Sequence, residues 1–303
     1  MKRIDLSGTP IAGGILWLTG LHMAAAALTF AVWRFTADDA WVELFFKYQG
    51  SLFFVACASI ELWLAWCAFR QFSQGEPMRA AWLLIAIGSF YRLTGFVFTQ
   101  VLGVESYLNP VYAAFGSLDP SFSSACRSFG LVVGGPLHMA ALAAGLFLVL
   151  RVLARLGILS RLRLSDILLL GGVAAYAIRQ FYEFIAWLRA APVPNDYAKL
   201  LSWAVDPFLC VLLLEAVLIR RSAIDTGWGL LALSWRAFVG GIFLTLVGDI
   251  GLWATNQGYL PWPYSSITWY VWFLASACYA LAPAYQVEAY RRAVRETELL
   301  TQE

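Results

Sequence analysis

The stretch AIRQFYEFIAW, residues 177–187, places Arg179 and Glu183 four residues apart inside an otherwise apolar run. On a helix this spacing puts a guanidinium and a carboxylate on one face, where they can pair, hold a ligand oxygen or pass a proton. Other polar side chains stand in comparably apolar surroundings: His22, Glu61, Arg92, Gln100, His138, Asp206 and Asp249. An ionised group at the centre of a membrane helix costs at least about 2.5–3.5 kcal/mol, so such residues turn to the bundle interior, to one another or to a wet cavity. The acids Glu61, Glu183, Asp206 and Asp249 outnumber Arg92 and Arg179. That surplus calls for protonated acids, charged histidines or a cationic partner.

Two readings follow. In the first, Glu61, Arg92, Arg179, Glu183, Asp206 and Asp249 line an intramembrane pocket open to the outside, which binds or transports a small molecule or lipid. The arginines then hold an anionic or carbonyl group, and the acids orient them or carry protons. In the second, the same residues are buried ion pairs that specify helix packing, with Arg179 and Glu183 paired along one helix. Placed by depth, His22, Glu61, Arg92 and Arg179 fall near the midplane, and Glu183, His138, Asp206, Asp249 and Gln100 fall nearer the outer boundary.

His22 and His138 are the only histidines, and each opens a small-residue run within a shared LHMAA (21–25 and 137–141). Small neighbours admit a flat macrocycle, and paired imidazoles hold haem iron in membrane cytochromes, so a haem-b-carrying subunit using His22 and His138 is an alternative. The competing account is a hydrogen-bonded histidine in each helix interface. A lipid-head-group enzyme with Asp249 or Glu183 as general acid/base is a further alternative. So is a structural subunit whose charges pair with a membrane-protein partner or a second copy.

Several chemistries have no residues to support them. The lysines, Lys2, Lys47 and Lys199, all avoid the middle of a span, which argues against a retinal Schiff base. There is no HExxH, GxSxG or Walker A sequence, and the scattered acids form no compact metal motif. Cys57, Cys67, Cys126, Cys210 and Cys278 include no CxxC pair; four lie in apolar runs, and Cys126 is placed in a loop.

The elements that must position these groups are read from the apolar runs. Hydrophobic residues make up 61% of 303 positions and charged residues 13%, against roughly 25% charged in soluble domains. This composition predicts an all-α, polytopic helical bundle forming one transmembrane domain over 1–303. Eight spans are expected, at about 11–33, 50–69, 81–103, 131–150, 166–188, 201–219, 236–255 and 266–287. The first run is too long for a signal-peptide core and reads as a membrane helix. Thr9-Pro10 precedes it, Ser165-Asp166 is placed to cap the fifth, and Asp206-Pro207 falls in the first turns of the sixth.

Basic residues orient the bundle. The termini and even-numbered loops carry Lys2, Arg3, Arg70, Arg79, Arg151, Arg155, Arg161, Arg163, Arg220, Arg221, Arg236, Arg291, Arg292 and Arg295. The odd-numbered loops carry only Arg34, Lys47, Arg127, Arg189 and Lys199. The asymmetry predicts a multi-pass inner (plasma) membrane protein with both termini cytoplasmic. The longest loop, about 104–130, is then outside, and Glu215 lies near the inner face beside Arg220 and Arg221. AIGSFYRLTGF (86–96) resembles AIRQFYEFIAW, but this match and the LHMAA pair imply incompatible repeat schemes.

Overall fold

Backbone N–H and C=O groups in long apolar runs have few partners other than one another, and helix satisfies them within the segment. The computed structural model describes residues 9–102, 120–190, 197–227, 229–261, 264 and 266–300, and among them it contains helix and no strand. Helix α1 is Pro10–Thr36 and α2 is Ala40–Arg70, the latter interrupted by a π-helical stretch at Phe45–Gly50. Helix α3 is Pro77–Phe96, carried on by a π-helical stretch at Val97–Leu102. Helix α4 begins as Pro120–Val132, passes through a π-helical stretch at Val133–Leu137 and ends as His138–Arg155. Then come α5 (Leu164–Arg189), α6 (Tyr197–Asp225), α7 (Leu230–Asn256) and α8 (Ser266–Leu300). All except α6 contain a described stretch long and apolar enough to cross a membrane, seven in number, as a multi-pass membrane protein requires.

Each expected span coincides with one of these helices, but three run well beyond it. Helix α2 starts at Ala40, across Glu43 and Lys47, whose charges had marked a loop. Helix α4 starts at Pro120, so the outer part of the expected long loop is helical from there, and residues 103–119 lie outside the described set. Proline suits a helix start because the first-turn N–H needs no partner within the helix. Cys126, expected in a loop, is buried in α4, and all five cysteines are free thiols. Helix α8 continues to Leu300 as an exposed, charged extension.

The chain divides into two compact units, one of residues 1–74 and 222–303, the other of residues 75–221. In the first, α1, α2 and α7 all pack on α8, which is buried almost without a break from Ala275 to Glu288. Glycines bring α7 against it. The Tyr279 ring lies over Gly241, the Trp272 indole over Gly248, and the Thr268 hydroxyl over Gly251. Ser234 of α7 donates to the Ala282 carbonyl at 2.7 Å, and Trp272 Nε1 donates to Thr245 O and Asp249 Oδ1, both at 3.2 Å.

The start of α1 is capped from the far end of the chain. Thr9 makes no side-chain cap bond. Instead Glu288 Oε1 accepts from the N–H groups of Ile11 (2.6 Å) and Ala12 (3.2 Å). These are orphan donors of the first turn, at the positive end of the helix dipole. Glu288→Ala should lower stability by about 1–2 kcal/mol, whereas Glu288→Gln, which keeps an acceptor, should cost less. Unfolding curves in mild detergent check the ranking, and equal losses would contradict the capping role.

In the second unit, α3 and α4 run antiparallel with their backbones touching. A Cβ on Gly95 would collide with Gly134 and one on Gly130 with Thr99, while one on Gly145 would sit tightly against Ala81 O and Ile85. The small side of α4 follows a four-residue step through Cys126, Gly130 and Gly134 to His138 and Leu142, the small-xxx-small pattern of close membrane helix pairs. Pro136 sits in the π-helical turn of this helix. A proline removes one ladder N–H, and an extra residue in the turn absorbs the resulting clash.

The other helix pair of this unit is joined by Cys210 of α6, whose thiol lies 3.7 Å from the Val173 carbonyl of α5. Asp166, the third residue of α5, is buried and accepts the Arg163 N–H at 3.0 Å, completing half of a capping box as its sequence position foretold. The same carboxylate takes a bidentate pair from Arg221 of α6, Nε at 2.5 Å and Nη2 at 2.9 Å, with Arg220 at 3.9 Å. Arg221 also reaches the Ser165 hydroxyl at 3.3 Å.

Candidate functional site

Gly88, without a side chain, lets α4 approach α3 closely enough for His138 Nδ1 to meet the Gly88 carbonyl at 2.8 Å. A carbonyl can only accept, so Nδ1 carries a proton, and in the neutral form of the ring Nε2 is the lone-pair nitrogen. His138 is 1% exposed. On the facing helix, one turn beyond Gly88, Arg92 is also buried. Ser89 between them is fully buried and donates to Ile85 O at 2.9 Å. One helix pair thus carries a buried arginine and a buried histidine, with the π-helical turns 97–102 and 133–137 on either side in sequence. π-Helical turns often accompany functional sites because they re-aim side chains.

The His138–Gly88 bond came from helix pairing rather than from depth along single helices. His138, expected nearer the outer boundary, lies about 27 Å from one end of α4 and about 26 Å from the other at 1.5 Å per residue. Its level is that of Gly88 and Arg92. The early start of α4 at Pro120 accounts for the difference.

The second histidine lies in the other unit. His22, 1% exposed, is stacked on Phe53 with centroids 4.0 Å apart and planes at 7°. Phe45 (5.3 Å) and Tyr270 (5.5 Å) also stack on it, and Phe273 meets it edge-on at 5.9 Å. Gln49 faces it from the π-helical stretch of α2, and neither imidazole nitrogen forms a hydrogen bond of normal geometry. This aromatic enclosure was not legible in the sequence, where the four rings are scattered over two helices.

The remaining predicted residues are dispersed. Glu61 is fully buried in α2, but about 12 Å along the helix from the Phe53 level, towards Arg70. Within α2, which runs from Ala40, Glu61 lies nearer the Arg70 end. Asp249 is half-buried and accepts from Trp272. The backbone of Asp206 lies inside α6, well past its first turn, and its side chain lies outside the described set. Arg179 and Glu183 do pair along α5, at 3.2 Å, with side chains 51% and 32% exposed. They face outward, away from the buried groups of their unit.

Glu215, set aside on the sequence for its proximity to Arg220 and Arg221, is buried, and its Oε2 makes no hydrogen bond. The two arginines are committed to Asp166. Among the described residues, no three His, Cys, Asp or Glu side chains cluster as metal ligands.

Comparison with other proteins adds no assignment. No protein-family model, curated protein or solved structure matches the chain. Its chemistry must be argued from these side chains alone.

Proposed function

We propose that this is a multi-pass membrane protein that binds, and in the fuller reading transports, a small molecule or lipid at an intramembrane polar centre containing Arg92 and His138. The observation that supports this reading is the His138–Gly88 bond, which holds a buried histidine against the helix whose next turn carries the buried Arg92. A ligand oxygen that is anionic or a carbonyl suits Arg92, and a hydroxyl or N–H suits His138 Nε2. The excess of basic residues on the termini and even-numbered loops supports cytoplasmic termini and an inner-membrane location. Accessibility of introduced cysteines to impermeant reagents tests that orientation.

Ligand binding is tested by purification in mild detergent with mass spectrometry of what co-purifies. Arg92→Ala and His138→Ala should each reduce retention of the bound molecule by about tenfold or more, the effect of losing a buried charged or polar contact. His138→Asn distinguishes binding from packing, because its amide can still donate to Gly88 O but supplies no Nε2. It should remain folded and lose ligand. Full retention in all three variants would sink the proposal.

Haem is the second reading, favoured by the same tautomer. A ligating histidine characteristically donates one ring N–H to a carbonyl, as His138 does to Gly88. A Soret band in the purified protein, lost in His138→Asn, is the expected result for this reading, and a featureless visible spectrum removes it.

A further inference from the structure

The ion pair of α5 stands on a surface whose pattern indicates a partner. Only 17% of the apolar stretch of α5 is buried, against 61% for α8. Helix α1 is equally exposed, but its only charge is Arg34 near its end. On α5, by contrast, Gly171, Ala175, Arg179 and Glu183 follow at four-residue intervals along one ridge. A side chain at Gly171 would meet nothing within 4 Å, and Ala175 is exposed. Leu168 (67% exposed), Ile178 (70%) and Tyr182 (73%) flank the ridge. A small-xxx-small step that runs straight into a half-exposed ion pair is poorly suited to hydrocarbon and well suited to another helix.

We infer that this face is a homodimer interface, in which α5 of one copy packs along α5 of a second. Two copies inserted with the same orientation are related by a two-fold axis along the membrane normal, so their α5 helices run parallel and equal depths meet. Gly171 and Ala175 permit close backbone approach. Arg179 then lies within about 6 Å, along the axis, of the level of the partner's Glu183, a span its long side chain covers. The charge pattern is self-complementary: each copy supplies one guanidinium and one carboxylate, and together they close a four-group network. A heterologous helix would need a matching pair of its own; a second copy already has it. The inference is independent of the Arg92–His138 centre, which lies on other helices.

The test measures association of the full chain in liposomes by energy transfer between labelled copies over a range of protein-to-lipid ratios. Arg179→Glu alone and Glu183→Arg alone should each weaken self-association by about tenfold or more, because each places like charges across the axis. Mixing those two single variants should restore association to near the wild-type level, and so should the double exchange in one chain. Ala175→Ile should also weaken it. If a charge exchange prevents folding, Ile178→Cys in a variant whose native cysteines are replaced by alanine still tests the face, by forming a disulfide-linked dimer on oxidation. A chain that is monomeric at every density overturns the inference, as does a dimer indifferent to these substitutions or one that retains a different protein on this face.

Discussion

Asp166→Ala is expected to destabilise the protein by about 3–5 kcal/mol, the usual result of leaving a buried charge without its partner. Asp166 and Arg221 are 3% and 8% exposed. The carboxylate simultaneously holds the Arg221 fork, the start of α5 and a distant Arg220. Losing it removes both carboxylate oxygens from the Arg221 fork between α5 and α6 and removes a cap. Arg221→Met should cost less, because Asp166 keeps the Arg163 N–H and Arg220, and methionine fills much of the arginine stem. Arg221→Lys keeps the charge but cannot match both carboxylate oxygens, and should fall between wild type and Asp166→Ala. Replacing both partners by apolar residues should recover much of the loss, since burying two ions carries its own desolvation cost. Denaturant unfolding in detergent reads this order, and an Asp166→Ala variant within about 0.5 kcal/mol of wild type would show that water reaches the pair.

Gly95→Leu and Gly134→Leu should be at least as damaging, beyond the 1–3 kcal/mol or so that overpacking usually costs. Most core positions can yield by turning a neighbouring side chain. Here the obstacle to a Cβ on Gly95 is the main chain of Gly134, so two helices must separate. Separation also carries His138 away from Gly88 O, so these variants should lose whatever the Arg92–His138 centre retains, even where some helix content survives. Gly14→Ala is the control. Gly14 lies in α1 with nothing within 4 Å of a Cβ, and alanine there should be neutral or up to about 1 kcal/mol stabilising, through helix propensity alone. Thermal unfolding with helix content and ligand retention read in parallel distinguishes the cases. A Gly95→Leu protein as stable as wild type would mean that α3 and α4 do not touch there.

The Gly130-Leu-Val-Val-Gly134 step was available in the sequence as a sign of this contact, and only its partner was not. The same holds for His138. Its residue type marked it, but the proton on Nδ1 follows from a carbonyl fifty positions earlier. Glu288 is the sharper case. In sequence it is one acid in a charged tail, yet it caps the first helix, because α1 and α8 are neighbours in the fold.

What the sequence determined by itself was local in origin. Apolar runs, with their charged and proline breaks, specified an all-helical, membrane-type chain and the centres of eight helices, because backbone hydrogen bonding within a segment depends on that segment alone. The i,i+4 spacing likewise allowed the Arg179–Glu183 pair, and Ser165-Asp166 marked the start of α5. Tertiary structure decided everything that needs two helices. It extended α2 and α4 past their charges and set Glu61 nearer the Arg70 end. It enclosed His22 in aromatic rings, bonded His138 to Gly88, and left Arg179 half-exposed beside Glu183. Depth along one helix is a single coordinate, and a site exists only once packing has supplied the other two.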